Sequence, residues 1–321
     1  MALINERVHK RILGKKKRLD GLRPLPPTLV ARLKEQMAIE YTYNSNAIEG
    51  NTLTLRETQL VIEEGITIGG KSISECLEAR NHPRAIGFVE SLVDTRKEIT
   101  EDDVLRVHRL IMSNVAEDAG RYRTAAIRIT GARFMPPPSK EVRPRMSQLL
   151  EWLRENPDEL RPIELAAVFH NRFVRIHPFT EGNGRTARLL MNAVLMKNGY
   201  PFIAIIPKID RAKYLRALIE ADLGKVSAFV NFVARFVERS LDMYLNALEE
   251  PEILTLTEAS ELTPYSQEYL SLLARKGAIG AFKRGRNWMI TKRDLDRYLR
   301  SRQKKLRGTK KARRKQKMEG N

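Results

Sequence analysis

The sequence predicts a mainly α-helical protein that ends in a small unit of short helices and a hairpin. Two observations carry that expectation. Up to Leu248, apolar residues recur at three- and four-residue spacing through long stretches, several of them opened by a capping hydroxyl. From Leu254 the stretches shorten and a glycine-bearing alternating segment appears, which is the period of a strand pair.

The first ~20 residues are basic and read as weakly structured, and Pro24-Leu25-Pro26-Pro27 is a rigid lead-in to a helix beginning near Thr28. Thr54 reads as an N-cap with Glu57 as its capping-box partner, and Thr100 with Asp103 repeats that logic. Helices are expected over 74–93, 100–112 and 145–155. Between them the segment 120–138 differs: Ile127-Arg128-Ile129-Thr130 alternates as a strand does, Gly131 permits a turn, and Pro136-Pro137-Pro138 stops any helix. Phe169, Phe173 and Ile176 mark an amphipathic helix, on which His170 reads as a hydrogen-bonded structural histidine. The apolar run 187–196 reads as a buried helix, and 210–222 as another. In the last unit, 257–262 is a short helix and Ser266 caps a longer one ending at Gly277. The stretch 278–290 is a hairpin, and Thr291 with Asp294 opens a final helix.

The 321 residues give room for two domains and a sizeable core. A single cysteine, Cys76, excludes an intramolecular disulfide framework and fits a reducing compartment. The charged start Met1-Ala2-Leu3-Ile4-Asn5-Glu6-Arg7 does not read as a signal peptide, and no apolar run reaches the ~18–20 residues of a membrane span, so a cytoplasmic protein without a membrane partner is expected. The net charge of +19 is uneven: Arg302 to Asn321 holds ten Lys/Arg and one acid, a net of +9, leaving +10 for the rest. Such a tail repels itself, is expected to be disordered over 302–321, and suits a polyanion.

The chemistry concentrates in His177-Pro178-Phe179-Thr180-Glu181-Gly182-Asn183-Gly184-Arg185-Thr186-Ala187-Arg188. Glycines on either side of Asn183 let consecutive N–H groups point into one concavity, which suits phosphate oxygens, at the start of the buried helix. Arg185 and Arg188 stand three residues apart on that helix and share a face, so both guanidiniums can reach one polyphosphate. Glu181 offers a hard oxygen of the kind Mg²⁺ takes beside phosphates, and His177 could accept a proton from an incoming hydroxyl.

At these residues the chain resembles the Fic family, whose pattern HxFx[D/E]GNGRxxR is filled at His177, Phe179, Glu181, Gly182, Asn183, Gly184, Arg185 and Arg188. The resemblance implies a helical enzyme that transfers AMP from ATP to a Ser, Thr or Tyr hydroxyl of a target protein. His177 would be the general base, Glu181 the Mg²⁺ ligand, and Gly182-Asn183-Gly184 the cradle of the α-phosphate. Arg185 and Arg188, with Thr186 between them, would serve the β- and γ-phosphates. Residues 120–138 stand where relatives carry a β-hairpin flap, so Thr130, Gly131, Ala132 and Arg133 would dock the target by strand addition. Ser45-Asn46-Ala47-Ile48-Glu49-Gly50 is similar to the family's [S/T]xxxE[G/N] inhibitory motif, with Ser45, Glu49 and Gly50 in the fixed positions. Glu49 would then pair with Arg188 and place negative charge where ATP binds. Tyr214, Leu215 and Asp222 match positions that hold adenosine in relatives. The same site could run as a hydrolase that removes AMP with Glu49 activating water, or the chain could be a nucleotide-sensing regulator on DNA.

The C-terminal unit looks like the winged helix-turn-helix of excisionase-type DNA-binding modules. Its second helix would present Gln267, Tyr269, Ser271 and Arg275 to a groove, while Lys283, Arg284 and Arg286 on the wing contact phosphates. The expected organisation is an N-terminal helical region over 1–110 with the inhibitory motif at 45–50, a catalytic core over 100–248, the winged unit over 252–301 and the basic tail. Expected partners are ATP with Mg²⁺, a hydroxyl-bearing target protein and DNA, and a homodimer stays open.

Overall fold

A computed structural model of the chain describes residues 2–94, 98–129, 134–202, 210–249, 253–285, 287–292 and 294–302. Two compact units result, Met1–Leu245 and Asn246–Asn321. Among the described residues the first holds helices and no strand, in chain order α1 (Glu6–Asp20), α2 (Pro27–Ile48), α3 (Leu55–Glu63), α4 (Ile73–Asp94), α5 (Glu101–Met112), α6 (Ser139–Glu155), α7 (Pro162–Ile176), α8 (Asn183–Lys197), α9 (Arg211–Asp222) and α10 (Val226–Glu249).

At the centre of the first unit lies α8, because it carries almost no surface-forming side chains: every residue from Arg185 to Leu195 is buried. Its neighbours α2, α4, α5 and α7 pack around it. α7 brings Ile163, Ala167, Phe169 and Phe173 to this core, a spacing of four, two and four that covers one helix face. α5 brings Val104, Val107, His108, Ile111 and Met112. Both expected capping boxes are present: Thr54 Oγ accepts from the Glu57 amide at 3.2 Å, and Thr100 Oγ from the Asp103 amide at 3.2 Å.

Three expectations are corrected. The basic N-terminus is the helix α1 rather than a weakly structured lead. Asn5 caps it by accepting from the Arg7 and Val8 amides, Ile12 and Leu19 are buried, and Arg11 and Lys15 pair with Glu238 of α10 at 2.9 Å each. Helix α6 starts at Ser139, directly after the proline run, with Pro144 inside it. Proline's fixed φ suits a first turn, so the run launches this helix as well as ending what precedes it. Finally, Ile127-Arg128-Ile129 forms no strand, and the turn residues Thr130, Gly131, Ala132 and Arg133 lie outside the described residues.

The second unit holds an antiparallel sheet in the order β1 (Ile253–Thr255), β3 (Asn287–Thr291), β2 (Ala281–Arg284), with α11 (Leu256–Glu261) and α12 (Gln267–Arg275). Ala281 pairs with Ile290 and Arg284 with Asn287, so the hairpin closes around Gly285, which takes φ 63°. Leu254, Leu270, Leu273, Ile290 and Leu295 form a core of its own. Ser266 caps α12 and Gly277 ends it with φ 62°, as the sequence predicts, and Thr291 Oγ accepts from the Asp294 amide at 3.1 Å to open the last helical stretch.

Candidate active site

Helix α7 stops at His177, whose backbone is left-handed at φ 51° and ψ 61° and whose N–H caps the Phe173 carbonyl at 3.0 Å. The chain thereby reverses, and residues 178–182 form a short loop into α8. Gly182 begins that helix at φ 73°, where a Cβ would lie 2.9 Å from Met112 Sδ and 3.3 Å from His108 Cδ2. Only glycine satisfies both the angle and the contact. Asn183 then closes the loop upon itself, accepting from the Phe179 amide at 2.9 Å and donating to the Phe179 carbonyl at 2.8 Å. Its side chain is therefore a buried clamp, and its contribution to any ligand is its main-chain N–H. Thr186 likewise spends its hydroxyl internally, on the Gly182 carbonyl at 2.9 Å.

The first ladder bond of α8 runs from the Thr186 amide to the Gly182 carbonyl at 3.0 Å. The amides of Asn183, Gly184 and Arg185 precede it, so they and the helix dipole present donors to the space beside the loop.

The His177 imidazole is fixed for proton acceptance. Nδ1 lies 3.2 Å from the Val174 carbonyl, which can only accept, so the proton sits on Nδ1 and Nε2 keeps its lone pair. Burial pushes its pKa below the ordinary 6.5, the Val174 bond opposes that shift, and the Arg123 charge adds to it. The ring is therefore neutral at physiological pH.

Arg123 was not legible as a site residue, yet it ties this corner together. Its buried guanidinium donates to the carbonyls of His177 at 2.8 Å, Ala125 at 3.0 Å and Pro137 at 2.6 Å, joining the start of the 177–182 loop to the residues that flank the 126–136 segment. His108 is a second unexpected support. Nδ1 accepts from the Gly120 amide at 2.9 Å, so Nε2 carries the proton and donates to the Glu181 carbonyl at 3.1 Å. Glu181 itself is exposed at the mouth of the site. Among the described residues no three His, Cys, Asp or Glu side chains gather into a metal cage. One outward carboxylate beside free amides fits Mg²⁺ that arrives bound to phosphates, because that ion keeps most of its shell from water and substrate.

Both arginines of the motif are buried and paired. Arg188, with 2 % of its side chain exposed, contacts Glu49 Oε1 at 2.8 Å through Nη2 and donates to the Ser45 carbonyl at 2.8 Å and the Ser45 hydroxyl at 3.0 Å. Arg185 contacts Glu78 Oε1 of α4 at 2.8 Å. Ser45 occupies the last turn of α2 and Glu49 is its C-cap, followed by Gly50 at φ 109°, a value that favours glycine. Arg211 Nε holds the same helix end by donating to the Ile48 carbonyl at 2.7 Å. Although 37 % of the Glu49 side chain is exposed, its carboxylate sits among protein atoms; this desolvation opposes its charge, and Arg188, then Arg185 and Arg211, outweigh it, so its pKa is lowered. The carboxylate also fills the space over Gly184, where an added Cβ would meet Glu49 Oε1.

The expected nucleoside residues divide. Tyr214 is 3 % exposed, its hydroxyl pairs with His170 Nε2 at 3.2 Å, and Arg188 lies over its ring at 5.9 Å. It offers no free face to a base in this arrangement and supports Arg188 from behind. Leu215 is 36 % exposed, while Asp222 accepts from Asn171 at 3.1 Å and lies 3.8 Å from Arg175, with burial raising its pKa.

In the second unit Arg275, Lys283 and Arg284 are exposed, with Lys283 above the Trp288 ring at 5.6 Å, and Arg286 lies outside the described residues. Tyr269 does not face outward as expected: it packs on the core and its hydroxyl accepts from Arg302 at 2.8 Å.

Comparison with known proteins places this geometry. The model of the Fic/DOC family matches residues 98–195, and a helix-turn-helix domain model matches 253–303. A protein adenylyltransferase Fic from Nematostella vectensis is 41 % identical over 217 residues, 67 % of this chain and 50 % of the relative, and the Caenorhabditis elegans protein adenylyltransferase fic-1 is 37 % identical over 246 residues, 75 % and 48 %. The chain thus spans about half the length of the curated relatives it matches. Among solved structures, a Fic domain containing signaling protein from Bacteroides thetaiotaomicron is similar at a TM-score of 0.69, with 31 % identity over 74 % of this chain and 98 % of that one. Fic-1 from C. elegans is similar at 0.67, with 36 % identity over 75 % and 71 %.

Proposed function

The chain belongs to the Fic/DOC family, and from that premise we propose that it is a protein adenylyltransferase held in check by Glu49. One observation carries the reading. His177, with Nε2 unprotonated, stands at the start of the loop that presents the α8 amides, and the Arg188 guanidinium is occupied by the Glu49 carboxylate. A proton acceptor, a phosphate cradle and an arginine blocked by an anion are the parts of a regulated phosphoryl-transfer site.

In this mechanism the α-phosphate of ATP lies against the amides of Asn183 to Arg185. The target hydroxyl oxygen attacks phosphorus, its proton passes to His177 Nε2, and the bond to the β-phosphate bridging oxygen breaks to release pyrophosphate. Mg²⁺ brought by the nucleotide, with Glu181 as its protein ligand, would neutralise phosphate charge. Arg185 and Arg188 take the β- and γ-phosphates, which requires Glu49 to leave Arg188. Target docking by strand addition through residues 130–133 belongs to the same reading.

The decisive experiment incubates the full-length Glu49→Gly protein with ATP labelled at the α-phosphate. Label on protein hydroxyls, abolished by His177→Ala, is expected. Bound nucleotide without any protein label would overturn the transferase reading and favour a nucleotide sensor. Release of AMP from a pre-modified substrate by the wild type would favour the hydrolase.

A second activity is proposed for the C-terminal unit. Its helix-turn-helix match and the exposed Arg275, Lys283 and Arg284 support DNA binding, tested by titrating duplex DNA at several salt concentrations.

A further inference from the structure

The two arginines of the motif are held by carboxylates of different origin. Glu49 belongs to the end of α2 and occupies Arg188. Glu78 belongs to α4, and both of its oxygens are engaged: Oε1 lies 2.8 Å from Arg185 Nη1, and Oε2 accepts from Asn51 Nδ2 at 2.9 Å. Asn51 follows Glu49 by two residues. It is locked in place, because its amide donates to the Asn46 carbonyl at 3.1 Å, its Nδ2 also reaches the Glu75 carbonyl at 3.1 Å, and its Oδ1 accepts from the Leu53 amide at 3.1 Å.

Arg185 itself depends on Glu78. Its side chain is 5 % exposed and neither Nε nor Nη1 makes a hydrogen bond among the described residues, so the 2.8 Å charge contact between Nη1 and Glu78 is the anchor the guanidinium has. A buried guanidinium with one charged anchor keeps the remainder of its fork unspent, the condition for presenting donors to an incoming anion. An arginine without its anchor would lose both orientation and charge compensation.

We propose that Glu78 is a positioning residue for Arg185, and that Asn51 sets Glu78. The inference rests on the reading that Arg185 meets the outer phosphates. It gives the α2 end two opposed effects within three residues. Glu49 withholds Arg188 from the nucleotide, whereas Asn51, through Glu78, keeps Arg185 ready for it. Removing Glu49 therefore activates, and removing Asn51 or Glu78 impairs, although all belong to one cluster.

The test uses the full chain in the Glu49→Gly background, where the brake is off, with His177→Ala added so that the intact α–β anhydride of AMPPNP is not consumed, and AMPPNP and AMP are titrated calorimetrically. Glu78→Gln, which keeps an acceptor but not the charge, is expected to weaken AMPPNP about tenfold because Arg185 loses its charged anchor, and Glu78→Ala more. AMP, lacking the outer phosphates, should stay within about twofold. Asn51→Ala leaves the ion pair in place and should weaken AMPPNP several-fold, so it carries the test if the Glu78 variants fail to fold. An unchanged AMPPNP affinity, or equal losses for AMPPNP and AMP, would overturn the proposal, the second outcome making Glu78 a fold element. A Glu49→Gly protein that binds AMPPNP no better than the wild type would instead sink the inhibitory reading, since the Glu78 comparison is made within one background.

Discussion

His108 lies flat on Phe179, with ring centroids 3.6 Å apart and planes 2° from parallel. The histidine thus supports the loop in three different ways: its stack on Phe179, its bond to the Glu181 carbonyl, and its acceptance from Gly120. Of these, the acceptance from Gly120 needs an unprotonated Nδ1, so a charged ring would lose it.

Acid should therefore loosen the site. Burial lowers His108 to about 4 from 6.5, with the Glu181 bond opposing the shift. Between those values the unfolded chain binds the proton and the folded chain does not, so stability is full above pH 6.5 and falls as pH drops toward 4. The contribution of this one group is about 3 kcal/mol at most. Urea titrations at steps of pH should show the slope, and His108→Gln should flatten it.

Glu49→Gly should tighten ATP binding and raise self-modification. It also leaves a buried arginine with one carboxylate fewer, at a cost of about 1–3 kcal/mol. Saturating ATP should raise the melting temperature of the variant more than that of the wild type, because the ligand restores the missing anion. Equal shifts would mean that the two anions do not exclude each other.

Gly184→Ala offers a cycle that reports on the same ion pair. A methyl there meets Glu49 Oε1 and comes within 3.0 Å of Arg188 Nη1. The change should destabilise the wild type, while in the Glu49→Gly background alanine's better helix propensity should make it neutral or stabilising by up to about 1 kcal/mol. Additive effects would show that the carboxylate does not rest over this helix turn in solution.

His177→Ala should reduce AMP transfer by ~10²–10⁴-fold with ATP binding nearly intact, since the imidazole handles a proton and not a phosphate. Because its pKa lies below 6.5, the rate of the Glu49→Gly enzyme should be flat through neutral pH and fall only in acid. Retention of more than about a tenth of the rate would remove His177 from the role of base.

For the C-terminal unit, truncation after Ser301 should weaken binding to duplex DNA and flatten the slope of log affinity against log salt, by about 0.9 for each phosphate that the tail no longer neutralises. Arg275→Ala should instead reduce discrimination between sequences. Absence of binding at ~50 mM salt would turn the unit into a protein-docking module.

The candidate site is legible in the sequence where its parts are close in the chain. His177 to Arg188 form one turn and one helix start, so spacing alone announces them. Arg123, His108, Asn51 and Glu78 are not legible there, because each is a single residue of ordinary type brought in from a separate element by packing. Tyr214 shows the opposite difficulty. An aromatic at that place in the chain suggests stacking, but the fold turns it inward under Arg188. Among the helices, α1 hides in the sequence because its many lysines and arginines mask two buried apolar positions and a capping asparagine.

The left-handed residues at both ends of the 177–182 turn, with the Asn183 clamp across it, make the proposed anion cradle a rigid vessel shaped by bonds within the chain itself. Control exerted on a rigid vessel works by filling it, not by building it. On the proposed reading Glu49 would be a tethered competitor whose local concentration is set by the α2 end and does not dilute with the protein, so inhibition would be unimolecular and persist at any enzyme concentration. Whatever loosens the tether lowers that local concentration, and the same ATP level then passes from insufficient to sufficient without any change in the cradle itself.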